Sequence, residues 1–113
     1  MKALTAALIA AFFWLAPAAA AELVMFEQAA CEWCEAWNRE VGTVFAKTEE
    51  GRLLRLRRVD IDSPRPADLV HIGEIHYTPT FVVIDGAAEL GRIVGYPGEA
   101  FFYGFLGDII KKL

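Results

Sequence analysis

Cys31-Glu32-Trp33-Cys34 carries both cysteines of the chain, separated by two residues. A loop that short contributes little as a structural staple, because the entropy removed from the unfolded chain grows with the length of loop closed. The pair therefore points to redox or metal chemistry, and the sequence on either side has to decide between them.

Immediately upstream, Leu23-Val24-Met25-Phe26 is a short apolar run suited to a buried strand, and Glu27-Gln28-Ala29-Ala30 leads from it to the first cysteine. Downstream a helical pattern begins: Cys34, Trp37, Val41 and Val44 or Phe45 recur every three to four residues, with Glu35, Asn38, Arg39, Glu40 and Lys47 between them. Cys31 thus falls at or just before the first helical turn, with Cys34 on the inward side. Unpaired N–H groups and the dipole at a helix start favour negative charge, so Cys31 is the expected nucleophile. Three residues on, Cys34 is placed to attack a mixed disulfide formed by Cys31 and to act as the resolving thiol. Glu32 and Glu35 work against the thiolate by adding negative charge nearby.

Further out, residues 53–62 hold Leu54, Leu56, Val59 and Ile61 and read as a second strand. Ser63-Pro64-Arg65-Pro66 punctuates the chain, and Leu69, Val70, Ile72 and Ile75 then predict a short second helix despite Gly73, which suggests a βαβ unit. Residues 80–84 are β-rich, Asp85-Gly86 signals a turn, and residues 90–94 supply the partner strand of a hairpin. A last helix carries the stripe Phe101, Phe102, Phe105, Leu106, Ile109, Ile110 and Leu113, read as core covering one face of a sheet. The order is β-α-β-α-β-β-α.

At 113 residues the chain has room for one domain. Its hydrophobic content of 56% is concentrated at the start, where Lys2, the apolar run from Ala3 to Leu15, Pro17 and the small residues Ala18 to Ala21 read as an export signal over residues 1–21. An uncleaved membrane anchor is the competing reading, since the run is nearly long enough to span a bilayer. Residues 22–113 form the domain. The 15 acidic residues outnumber the 11 basic ones, which argues against nucleic acid as a partner. Arg52, Arg55, Arg57 and Arg58 are the one basic run, and their alternation suits a partly solvated strand. In an oxidising compartment the two thiols would pair, and the couple can then give or withdraw electrons.

With a C-x-x-C at the start of the first helix, this order resembles the thioredoxin superfamily over essentially all of residues 22–113. Val59-Asp60-Ile61-Asp62, Thr78-Pro79-Thr80 and Gly95 after the fourth strand add to the likeness. It implies an α/β fold, the minimal thioredoxin-like arrangement of a mixed four-stranded sheet flanked by helices. It also implies that Pro79 is a cis proline facing the two sulfurs, and that Thr78 offers backbone groups to an extended substrate chain. The chain departs from cytosolic thioredoxins: Ala30 precedes the first cysteine, and Met25 stands where they keep a buried acid, while Arg58 keeps a basic residue in a familiar place. A narrower partner range than that of a general disulfide reductase follows. Leu23 to Gln28, Trp37-Asn38-Arg39-Glu40, Arg57 to Ile61 and Gly95-Tyr96-Pro97-Gly98-Glu99 are similar to the periplasmic thioredoxin-like SoxS proteins found with bacterial sulfur-oxidation (Sox) systems. That resemblance implies an exported thiol:disulfide oxidoreductase reducing protein cysteines of the Sox machinery, its sulfur carrier among them. Its electrons would come from a membrane donor, and it would need no cofactor beyond its own redox-active disulfide.

Other readings stand beside this one. Trp33 either forms an exposed aromatic rim that meets a partner or packs on Trp37 one turn later. Tyr77 either lines the same groove or belongs to the core or hairpin edge. His71 and His76 are candidates to complete a metal site with the cysteines, which would make the chain a Cu(I)-binding module. A non-catalytic interaction domain is the third function class.

Overall fold

The computed structural model describes residues 21–113, so the leader expected over residues 1–21 lies outside the described residues except for Ala21. A four-stranded mixed sheet in the order β2-β1-β3-β4 organises the chain. Strand β1 (Glu22–Glu27) pairs parallel with β2 (Arg55–Asp60) and antiparallel with β3 (Thr80–Asp85), which forms a hairpin with β4 (Ala88–Val94). The expected α/β architecture is present.

Between its terminal residues Glu22 and Glu27, strand β1 is apolar and buried because both of its faces are covered. Leu23 and Met25 point into one core with Trp37, Phe45, Phe81, Phe102 and Leu106, while Val24 and Phe26 point into a second with Val59, Leu69, Ile72, Val82 and Ile84. In the first core the Trp37 ring lies 5.2 Å from Phe81 and 5.8 Å from Phe102, centroid to centroid. These tilted and edge-on contacts are favourable beyond the area they bury.

The helices differ from the sequence pattern in three places. Helix α1 (Glu32–Trp37) does not run on to Lys47; it passes into a π-helical turn at Asn38–Gly42 and a 3-10 turn at Phe45–Lys47. Trp37, Val41 and Phe45 are all buried at four-residue steps. On a 3.6-residue helix such steps drift ~40° each, and the wide turn takes up the drift. A further helix, α2 (Glu49–Leu53), follows, and Thr48 caps it by accepting a hydrogen bond from the Gly51 N–H at 3.0 Å.

Between β2 and β3 the expected second helix is a single 3-10 turn at Ala67–Leu69. Pro64, Pro66, Gly73 and the β-branched Val70, Ile72 and Ile75 are poor helix formers. Arg65 instead donates to the carbonyls of Ile72 and Gly73, groups a helix would have bonded internally, and lies over the Phe26 ring. Leu69 and Ile72 still cover the second face of the sheet.

Helix α3 (Glu99–Ile110) buries Phe102, Leu106 and Ile109. Phe101 and Phe105, read from the sequence as core, are exposed and stack on each other at 6.4 Å. A helix lying on a sheet buries one stripe, and the neighbouring apolar column is left outside.

Candidate functional site

The C-terminal end of β1 sets the site. Phe26 is in register with Thr80 at the start of β3, and Thr80 with Val94 at the end of β4. The loop into Cys31, the Thr78-Pro79 segment and Gly95 therefore share one end of the sheet. Gly95 donates its N–H to the Pro79 carbonyl at 2.7 Å, tying two of these segments together.

Cys31 is the N-cap of α1, and its Sγ accepts a hydrogen bond from the Cys34 N–H at 3.1 Å. The sulfur thus takes up a backbone donor that the helix leaves unpaired. Its carbonyl accepts from the Glu35 N–H at 3.1 Å, which starts the helical ladder. Just before it, Ala30 holds φ at 58°, a conformation that glycine adopts far more readily. Cys31 and Cys34 form a disulfide, with their Cα atoms 5.2 Å apart. Cys34 is buried within the core and Cys31 is half-buried at its edge, so the first sulfur is the one open to an incoming group.

Among the other residues singled out in the sequence, Trp33 is 56% exposed whereas Trp37 is fully buried, packed against Phe45, Phe81 and Phe102. Among the described residues no aromatic pair joins Trp33 to Trp37. Tyr77 is also exposed. The Thr78–Pro79 peptide bond is cis, Pro79 is buried and Thr78 half-buried. Thr80 Oγ1 donates to the Tyr77 carbonyl at 2.7 Å, fixing the turn before the strand. The histidines do not join the cysteines. His71 Nε2 lies 2.6 Å from the Ala87 carbonyl and His76 Nε2 lies 3.7 Å from Glu74. Among the described residues no three potential metal-ligating side chains cluster.

Two further neighbours complete the surroundings. Met25 is buried in the core that holds Cys34, so an apolar side chain occupies the acid's place. Tyr96 is buried in the same core, and its hydroxyl has no hydrogen-bond partner among the described residues. Burial, and then the carboxylates of Glu40 and Glu99, push its ionisation up to about 12. The Gly-Tyr-Pro-Gly turn was visible in the sequence; that its tyrosine turns inward was not.

Arg58 of β2 reaches the base of the same helix. It donates to Glu27 at 2.7 Å and to Asn38 at 2.6 Å, and its guanidinium carbon lies 5.6 Å from the centre of the Trp37 ring. The adjacent Arg57 turns away to Asp68, at 2.6 and 2.8 Å.

Comparison with solved structures finds the periplasmic thioredoxin SoxS from Paracoccus pantotrophus in its reduced form. It is 38% identical to this chain over 80% of this chain and 96% of that one, with a TM-score of 0.76. Trxlp from Edwardsiella tarda EIB202 matches at 24% identity over 78% and 82% of the two chains, with a TM-score of 0.63. The thioredoxin of Malassezia sympodialis matches at 22% identity over 80% and 75%, with a TM-score of 0.60. The last two likenesses concern the fold. No family model and no curated protein matches.

Proposed function

We propose, from the premise that this chain belongs to the thioredoxin superfamily and is a SoxS-like thiol:disulfide oxidoreductase, that it works in the periplasm and reduces cysteines of a sulfur-oxidation partner. The observation that carries the reading is the pairing of a half-buried Cys31 at the helix cap with a buried Cys34. The 38% identity to a periplasmic thioredoxin supports the compartment and the partner class.

In this reading the reduced protein attacks with the Cys31 thiolate. The thiolate displaces one sulfur of a partner disulfide as a thiolate, which takes up a proton, and a Cys31–partner disulfide forms. Cys34 loses its proton, attacks the Cys31 sulfur and expels the second partner sulfur. The partner gains two electrons and two protons, and the Cys31–Cys34 disulfide is regenerated. A membrane donor of two electrons then reduces that disulfide, so the cycle uses no other cofactor. Trp33 and the backbone of Thr78, next to Pro79, form the surface on which an extended partner segment lies. Residues 1–21 direct export and are removed; cleavage is the preferred reading over retention as an anchor.

The test is trapping. Cys34→Ser is expected to hold the partner as a mixed disulfide in cells grown on reduced sulfur compounds, and Cys31→Ser to abolish both trapping and turnover. Recovery of no partner under those conditions would remove the proposed role. The couple's potential gives the direction of flow: a value near the ~ −270 mV of thioredoxin fits a reductant, and one near the ~ −120 mV of DsbA reverses it.

A further inference from the structure

Strand β2 is an edge of the sheet: in the order β2-β1-β3-β4 it pairs with β1 alone among the described residues. The Arg55 and Ile61 N–H groups donate to the carbonyls of Ala21 and Glu27, at 3.1 and 2.9 Å. Backbone groups alternate in direction along a strand, so the odd-numbered residues of β2 serve β1, and Leu56 and Arg58 turn their N–H and C=O groups to the open side. Leu56 also borders a cleft of about 350 Å³, lined besides by Phe45, Ala46, Arg52 and Leu53. Leu53 is 53% exposed there. Arg52 and Arg55 pair with no carboxylate among the described residues; Glu22, the register partner of Arg55, turns to Arg57 at 3.6 Å.

We propose that this edge is a docking site for an extended acidic segment of another protein, which adds to β2 as a further strand and seats an apolar side chain in the cleft. The unpaired backbone groups of Leu56 and Arg58 supply the main-chain bonds. Residues opposite each other across a ladder share a face. A partner residue opposite Leu56 therefore points into the cleft, whereas its neighbours point to the other face, where the alternation of the strand puts Arg55 and Arg57. Arg57 is already held by Asp68, at 2.6 Å, and by Glu22, so Arg55 is the cation left for a partner carboxylate. The fitting segment is thus apolar at one position and acidic on either side. A second copy of this chain does not fit, because β2 against β2 would set Arg55, Arg57 and Arg58 against like charges. Charged residues on an edge strand deter like strands, and these select an acidic one. Leu56 is in register with Leu23 near the start of β1, and Cys31 follows the far end of that strand, so occupation of the edge leaves the disulfide uncovered. The proposal goes beyond the redox function and does not depend on it.

The test uses the oxidised protein and a short, blocked, fluorescein-labelled peptide that alternates glutamate with leucine, with binding followed by anisotropy. Arg55→Glu is expected to weaken binding about tenfold, and raised salt to weaken it in the wild type. Leu53→Gln weakens it as well. The lysine–leucine counterpart of the peptide does not bind the wild-type protein, a comparison that no variant's folding affects. N-methylation of one alternate set of peptide amides, the leucines or the glutamates, abolishes binding while methylation of the other set leaves it unchanged; a purely ionic contact makes no such distinction. Reduction of oxidised glutathione by the dithiol form is unaffected by saturating peptide. Absence of binding, equal binding of the lysine peptide, equal effects of the two methylated sets, or inhibition of glutathione reduction overturns the proposal. So does a wild-type dimer in sedimentation that Arg55→Glu dissociates, which would give the edge to a second copy. A wild type without a reversible dithiol couple removes the redox function and leaves the docking edge standing.

Discussion

Trp37 Nε1 and Tyr96 Oη are buried polar atoms without a hydrogen-bond partner among the described residues. Removing such an orphan leaves nothing unsatisfied, so Tyr96→Phe should hold or raise stability by about 1 kcal/mol in urea unfolding at pH 7. The same residue governs the alkaline limb. With its ionisation pushed up to about 12, the folded chain keeps a proton that the unfolded chain releases at about 10. Stability is therefore fully present below pH 10 and falls as pH climbs toward 12, by about 2–3 kcal/mol for this one group. Tyr103, also pushed up by burial and next by Glu50, adds in the same direction. Unfolding measured from pH 9 to 12 should show a slope that is shallower in Tyr96→Phe. Ala30, at φ 58°, offers the opposite kind of change: Ala30→Gly removes a left-handed strain of about 1 kcal/mol and frees the loop into Cys31. Chemical denaturation compares that gain with the entropy glycine adds to the unfolded state.

At the scale of elements, α2 is pressed onto its neighbour. A Cβ on Gly51 would stand 1.8 Å from the Phe45 carbonyl oxygen, and backbone cannot yield as a flexible side chain does. Gly51→Ala should cost about 2–4 kcal/mol, although alanine is the better helix former, and a fall in denaturation midpoint would register it. Helix α3 offers a paired contrast. Phe102→Ala, in the centre of the aromatic core, should cost about 3–5 kcal/mol, and Phe105→Gln, on the exposed column, less than about 0.5 kcal/mol. The sequence could not separate those two columns, since both are apolar and adjacent, and only the sheet beneath decides which is buried. Strand β1 was legible because a run buried on both faces has a plain composition. The break of the first helix at Asn38 was not, because the four-residue spacing of Trp37, Val41 and Phe45 is compatible with a continuous helix until the drift in phase is counted.

For the whole molecule, the mixed four-stranded sheet and the place of the disulfide followed from the alternation of apolar runs and turn residues together with the family likeness. The surroundings of the disulfide did not follow. Glu27 to Arg58, and Met25 to Phe81, are contacts between residues far apart in sequence, and nothing local in either partner announces the other. A further consequence comes from the direction of β1. Ala21 accepts the Arg55 N–H at the start of that strand, and Cys31 follows its far end. Six extended residues put ~20 Å between the two. A surface linkage made at the start of β1 is joined at the opposite end of that strand from the disulfide, so immobilisation through that side is expected to give a bead-bound reagent that still reacts through Cys31.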